Sequence, residues 1–345
     1  MIVMKTNLLS ADLDYIFENT RHLWGELRNQ RIFITGGTGF FGCWLLESFA
    51  WANAKLNLNA TAVILTRNPV QFEKKCPHLF SNPSLTFQAG DVSNFEFPPG
   101  PFSHVIHAAT EASVSLNKNN PELMLQTIVQ GTTHTLDFAR QCGAKGFLLT
   151  SSGAIYGKQP SHISHVNEDY AYEKALTQSA YADGKRAAEA ICANYSEKLD
   201  IKIARCFAFI GPHLPLDTHF AIGNFIRDGL NGHSIVIKSD GTPYRSYLYA
   251  ADLAIWLWTI LFRGKNMRPY NVGSDESITI KDLANLVATA FEPNVEVQIE
   301  QQGTSLQLPE RYVPDICRAR DELNLTTHIN LNQAIKLTME WHSCK

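Results

Sequence analysis

The apolar positions of this chain fall into short runs separated by longer stretches of helical spacing. Ile32, Phe33, Ile34 and Thr35 form a β-branched and aromatic run that ends in glycines, and an apolar helix-like stretch follows from Phe40 to Ala52. Further strands are expected at Thr61 to Leu65, Phe87 to Val92, Val105 to Ala109 and Gly146 to Thr150. Glu122 to Arg140 carries a helical period with Gly143 as its stop. Strands alternating with helices in this way predict an α/β fold, a doubly wound parallel sheet. Ahead of the first strand, Leu13, Ile16, Phe17, Leu23, Trp24 and Leu27 recur at near-helical spacing. Residues 1–30 are therefore expected to form a helical extension, capped by Ser10 or Asp12, over the outside of the sheet domain. Beyond Thr279, a helix (Ile280 to Ala290), a strand (Val295 to Ile299) and a C-terminal helix (Leu331 to Trp341) predict a smaller α/β lobe.

The densest chemical signal is Arg31 to Gly42, a strand, a tight turn and a helix start in twelve residues. Unpaired N–H groups and the positive end of the helix dipole make such a turn an anion site, suited to a pyrophosphate. Gly36 or Gly37 permits the turn, Gly39 lets backbone approach phosphate, and Gly42 allows close helix–strand packing. At the end of the second strand stand Thr66 and Arg67, where an acid would take the ribose hydroxyls of NAD. An arginine there predicts a preference for NADP over NAD. Asp91, followed by Val92, is placed to accept from adenine. His107, Ala108 and Ala109 end the fourth strand where a cofactor passes over the sheet edge, with His107 expected as a satisfied polar group.

Composition narrows the functional classes without adding a site. The 345 residues carry a net charge of −3 and 45% hydrophobic content, which gives no reason to invoke nucleic acid or an anionic membrane. The longest apolar stretch, Leu253 to Phe262, is too short to span a bilayer. No secretory leader pattern opens the chain, and seven dispersed cysteines suit reduced thiols, so a cytoplasmic protein without a metal site is expected. His213 and His219 lack metal-ligand spacing and are expected as polar loop residues.

A second constellation opens the segment from Tyr181 to Tyr195. Tyr181 and Lys185 lie one helical turn apart and point to the same side. An ammonium beside a phenol favours the phenolate, as a base taking a proton from an alcohol requires. Ser152, at the end of the fifth strand, is placed to hydrogen-bond the same oxygen.

With these residues in hand, the chain resembles the extended short-chain dehydrogenase/reductases that modify nucleotide-diphosphate sugars. The resemblance rests on Thr35 to Gly42, Asp91-Val92, His107-Ala108-Ala109, Thr150-Ser151-Ser152 with Tyr156-Gly157, and Tyr181 with Lys185. It continues through Gly211-Pro212, Arg245 to Asp252 and Tyr270 to Gly273. It implies a Rossmann domain over 31–211 and 244–273, and a substrate lobe over 212–243 and 274–345. It further implies Ser152, Tyr181 and Lys185 as the catalytic set. The expected cofactor-binding residues are Gly36, Thr38, Gly39, Phe40, Phe41, Gly42, Thr66, Arg67, Asp91, Val92, His107, Ala108 and Ala109, with Lys185 on the nicotinamide ribose. Asn224 and Arg245 would contact the nucleotide diphosphate, Arg311 would reach the substrate, and a homodimer would form through the helices at 122–140 and 181–195.

The chain departs from that pattern at several positions. Dehydratases of the family carry Asp-Glu after the catalytic Ser or Thr, where this chain has Gly153 and Ala154. Asn is frequent where Ile128 and Ala208 stand here. The expected activity is hydride transfer at C4 of the sugar, read first as epimerisation. A 4-keto-sugar reductase or a uronic acid decarboxylase is the alternative, and 4,6-dehydration and a non-catalytic dinucleotide-binding regulator rank behind.

Overall fold

The structure, a computed structural model, describes residues 8–110, 114–170, 179–218, 220–301 and 308–344. It divides into two compact units that interleave along the chain. Met1–Ser151, Arg186–Ala204 and Ala254–Arg268 form the first, and Ser152–Lys185, Arg205–Leu253 and Pro269–Lys345 the second. Residues 152–185 and 205–211 thus group with the second unit, whereas the sequence reading put them in the dinucleotide domain.

The central sheet has seven strands. In spatial order they are Leu85–Ala89, Thr61–Thr66, Arg31–Thr35, His104–His107, Gly146–Ser152, Asp200–Cys206 and Pro269–Val272. The pairings from Leu85–Ala89 through to Gly146–Ser152 are all parallel. The reversal of strand order beside Arg31–Thr35 is the switch point of a Rossmann sheet, where ligands bind beyond the strand carboxyl ends.

Ile32, Phe33 and Ile34 have no accessible surface, as a strand covered on both faces requires. Phe33 anchors an aromatic cluster, its ring centroid 4.6 Å from Phe138 and 5.2 Å from Phe95. The helix Phe40–Leu56 buries Trp44, Leu45, Leu46 and Phe49, and ends on Asn57 in the left-handed conformation that stops helices. The N-terminal helix Ser10–Thr20 lies on it, where Asp14 accepts from Trp51 Nε1 at 2.9 Å and pairs with Lys55. Ser10 is the first residue of that helix rather than its cap; Leu9 precedes it, and no side chain caps it. Trp24 packs on Trp258 at 4.8 Å, and Trp258 Nε1 donates to Ser48 Oγ.

The second unit is held by buried polar pairs. Tyr156 donates to Asn271 Oδ1 at 2.7 Å, and Arg205 donates to the Tyr156 hydroxyl and to the Glu168 carbonyl. Glu168 accepts from the Asn271 N–H, and its carboxyl is pushed up by burial, against that bond and the Arg318 guanidinium. A small three-stranded sheet sets Tyr244–Arg245 between Ile278–Thr279 and Arg311–Tyr312, with Tyr312 opposite Arg245. Helices Ala221–Leu230, Ile280–Ala288 and Leu331–Ser343 complete the unit. Asp252, with no accessible surface, accepts from the N–H groups of His328 and Ile329. Among the described residues no helix is long and apolar enough to cross a membrane, and all seven cysteines are free.

Candidate active site

In the first unit, a cavity of about 250 Å³ opens above the carboxyl ends of the strands. Gly36, Thr38, Gly39, Thr66, Arg67, Asp91, Val92, Ala108 and Ala109, all singled out in the sequence, line it together with Leu65, Gly90, Thr110, Thr127 and Ile128. Its floor is built from backbone at very close range. A Cβ on Gly36 would lie 2.5 Å from the Ala108–Ala109 peptide, and Gly36 has φ +71°. A Cβ on Gly42 would lie 2.2 Å from the Gly37 carbonyl carbon. Glycine is obligatory at both positions.

Gly39 differs, because a Cβ there would meet nothing nearer than the Gly36 carbonyl oxygen at 3.4 Å. The protein itself leaves that space open, at the start of a 17-residue helix whose first N–H groups have no side-chain cap. This is the cradle an anionic group fills.

The walls are polar at chosen points. Thr38 and Thr66 share a hydroxyl–hydroxyl bond of 3.2 Å. Asp91 accepts from the Ser93 N–H and hydroxyl at 2.9 and 2.6 Å. Those bonds, with the Arg67 charge behind them, hold its carboxyl below the usual range. Lys75 Nζ reaches the Thr38 carbonyl at 3.4 Å, adding a cation to the wall that Arg67 begins. Thr110 Oγ1 is buried against the cavity without a hydrogen-bond partner among the described residues. A bare helix start, an open glycine and an orphaned hydroxyl together fit a dinucleotide.

Other expected cofactor residues stand behind this surface. His107 is buried, with one ring nitrogen 2.9 Å from Thr35 Oγ1 and the other 3.2 Å from Thr132 Oγ1. Thr35 Oγ1 in turn accepts from the Ala109 N–H. His107 therefore fixes the loop from within, as a satisfied polar group. Gly42, Phe40 and Phe41 belong to the helix start and are not among the lining residues. Ile128, where relatives of the resembled family carry Asn, lines the cavity with an apolar side chain.

In the second unit, the expected catalytic set does come together. Ser152 ends its strand 5% exposed, and its Oγ accepts from the Ala154 N–H at 3.1 Å. Tyr181 and Lys185 lie on the helix Ala180–Ala193, with Nζ 5.9 Å from the phenol ring centroid. The Ser152 hydroxyl stands near enough to the Tyr181 phenol to favour its ionised form.

The electrostatics reverse one expectation. Burial pushes Tyr181 up to about 12; the Ser152 bond draws it back and Cys206 adds to the rise. Desolvation of the phenolate is the largest of these causes. Lys185 is itself buried and also opposes, weakly, the burial that pushes Cys206 up to about 12.

Of the expected substrate residues, Arg245 lies on the small sheet beside Tyr312 and Tyr247, whose buried phenols feel its charge. Arg311 stacks its guanidinium 4.1 Å above the Tyr244 ring. Asn224 is engaged within its own helix, accepting from Arg227 at 3.1 Å. His213 lies in a loop with φ +70°, and His219 is outside the described residues. Sequence reading missed Thr110, Thr127 and Lys75 in the first unit and Tyr312 in the second. Only Tyr312 had a signal, its place next to Arg311.

Comparison with known proteins bears on the family of this chain. The family model described as NAD dependent epimerase/dehydratase family matches residues 32–273. UDP-glucuronic acid decarboxylase 1 of Arabidopsis thaliana is 30% identical over 308 residues, covering 88% of this chain and 68% of that protein. A dTDP-glucose 4,6-dehydratase from Streptomyces venezuelae, solved with NAD bound, superposes with a TM-score of 0.76 at 21% identity, over 91% of this chain and 97% of that one. A mutant UDP-glucuronic acid 4-epimerase from Bacillus cereus, in complex with NAD and a fluorinated UDP-glucuronic acid, gives 0.75 at 20% identity, over 91% and 99%.

Proposed function

Because this chain belongs to the NAD dependent epimerase/dehydratase family, we propose that it oxidises a nucleotide-diphosphate uronic acid at C4 and releases the carboxylate as CO2. It is an enzyme of the extended short-chain dehydrogenase/reductase type that modifies nucleotide sugars. Likeness to a decarboxylase over most of the chain favours this outcome over the C4 epimerisation that the sequence reading put first.

The observation that carries the proposal is the hydroxyl pair Ser152–Tyr181 followed directly by Gly153 and Ala154, neither of them an acid. Tyr181 takes the proton of the C4 hydroxyl, and Ser152 donates to the C4 oxygen. A nicotinamide cofactor, when bound, supplies the hydride acceptor. Once C4 is a ketone, the carboxylate on C5 is β to it. The C–CO2 bonding electrons then flow into the C4 oxygen that the hydroxyls hold, and C5 takes up a proton. Loss of water across C5 and C6 would need a base and an acid that positions 153 and 154 do not offer.

The dinucleotide is assigned to Gly36–Gly39, Thr66, Arg67, Asp91, Val92, Ala108–Thr110 and Lys185, and the substrate's negative charge to Arg245, with Arg311 as a further contact. The family's cofactor is NAD; Arg67 and Lys75 support a preference for NADP on this chain. A homodimer through the helices Pro121–Gln141 and Ala180–Ala193 goes with the same reading.

Purified protein incubated with UDP-glucuronate, UDP-galacturonate or dTDP-glucose, with NAD or NADP, tests it by mass spectrometry and NMR. A 4-keto product lighter than the uronate by CO2 and two hydrogens, with one reduced nicotinamide formed for each, and no 4-keto-6-deoxy product from dTDP-glucose, is the expected result. An isobaric epimer, or dehydration in proportion to enzyme, would overturn it.

A further inference from the structure

The proposed reaction has one proton without a source. When the bond from C5 to the carboxylate breaks, its electron pair forms the C4–C5 double bond of an enolate. The negative charge moves to the C4 oxygen. Restoring the ketone takes a proton at C5, delivered to one face of a planar carbon. Ser152 and Tyr181 are assigned to the C4 oxygen, so a further acid is called for beside them.

Gly153, directly after Ser152, marks where it stands. A Cβ there would lie 2.8 Å from the Tyr312 hydroxyl oxygen and 2.7 Å from Phe207 Cζ. The space a side chain at 153 would enter is therefore filled by the end of the Tyr312 phenol. This is the position from which an acid or base would serve C5 and C6, and Tyr312 brings a hydroxyl to it from the strand Arg311–Tyr312. Phe207 fixes the direction of that phenol, packing on its ring at 4.8 Å and on Tyr156 at 6.1 Å.

Tyr312 also lies opposite Arg245 on the neighbouring strand, so the two side chains leave the small sheet on the same face. The hydroxyl thus shares its face with the residue assigned to the substrate's negative charge. Desolvation, opposed by the Arg245 charge, pushes the Tyr312 phenol up from the ordinary tyrosine range. The group keeps its proton until a strong base such as an enolate forms.

We propose that Tyr312 is the acid of the second half of the reaction: its O–H protonates C5 after CO2 has left. The inference rests on the decarboxylase reading. The O–H bond of Tyr312 breaks, the enolate pair forms the new C5–H bond, and the C4 ketone is restored. The Tyr312 phenolate then recovers a proton from water. Nothing is oxidised or reduced in this step.

The test runs the purified protein in D2O with UDP-glucuronate and NAD. Borohydride traps the 4-keto product at once, before its C5 hydrogens exchange. CO2 and reduced nicotinamide are counted, and NMR locates the deuterium on C5, which the reaction turns into a CH2 carbon. Wild type should place one deuterium in a single one of the two C5 positions. Tyr312→Phe should still oxidise and release CO2 but divide the deuterium between both positions, since water then protonates either face. Gly153→Ala keeps the hydroxyl in the chain but crowds the phenol oxygen with a methyl, and should divide the label as well. A tyrosine that only packs would alter the rate and leave the label in place. Deuterium confined to the wild-type position in both variants, or divided in wild type itself, would overturn this proposal alone. Reduced nicotinamide without CO2 in wild type would overturn the decarboxylase reading, and this step with it.

Discussion

Arg67→Ala should reverse the cofactor preference of this enzyme. Arg67 is exposed at the end of its strand, and Lys75 joins it on the same wall through the Thr38 carbonyl. A charge-assisted bond to a 2′-phosphate contributes about 1.5–3 kcal/mol when well ordered, but an exposed pair contributes only up to about 1 kcal/mol. Arg67 also faces the Asp91 carboxylate, which its charge helps keep ionised. The net gain is therefore set at about 1 kcal/mol, or roughly fivefold tighter binding of NADPH than of NADH. Without Arg67, the ionised Asp91 repels the added phosphate and NADH should bind better. Asp91→Asn should widen the NADPH advantage instead. Fluorescence titration of both reduced cofactors in wild type and the two variants measures all three. Added salt should narrow the wild-type gap, since these charges face solvent. Wild type binding NADH as tightly as NADPH, at low salt, would refute the reasoning.

Tyr181→Phe should keep fold and cofactor affinity but lose roughly two to four decades of kcat, the usual contribution of a positioned acid or base; steady-state rates and a cofactor titration separate the two. A pH effect on stability should come from His104, which burial lowers from the ordinary histidine range to about 4. Its stabilisation is complete above about pH 6.5 and is lost as pH falls from there toward 4, because the unfolded chain takes up the proton first. The loss approaches ~3 kcal/mol at the acid end. Urea midpoints near neutral pH and in mild acid should show it, and His104→Gln should flatten the difference.

The parts of the molecule that were legible in the sequence are those made by neighbours along the chain. The run Arg31 to Gly42 contains its own strand, turn and helix start, and the glycine contacts within it are all short-range or to the adjoining strands. Tyr181 and Lys185 share a helical turn, so their common side needed only the helical period. Tyr312 was out of reach by the same token: its hydroxyl packs against Gly153 from far along the chain, on a two-residue strand with no periodicity to read. The ionisation of Tyr181 failed for another reason. Spacing reveals the lysine but not the burial, and burial is what pushes the phenol up. Ser10 had a capping side chain in the right place, yet the helix starts on it, because Leu9 is buried just ahead.

The His107 string has a consequence for anyone who redesigns this protein. Thr35, His107 and Thr132 tie the first strand, the fourth strand and a helix together with one imidazole whose two nitrogens are both spent on hydroxyls. The Ala108–Ala109 peptide hangs from that string, and Gly36 presses against the same peptide at 2.5 Å. Mutational libraries that enter this side would have to change several residues at once to find a tolerated variant. On the opposite side Arg67 and Lys75 carry exposed side chains, with only Thr66 between Thr38 and the Asn68 N–H held in place. A cofactor swap is therefore a search over two or three surface positions, and the phosphate floor can be left as it is.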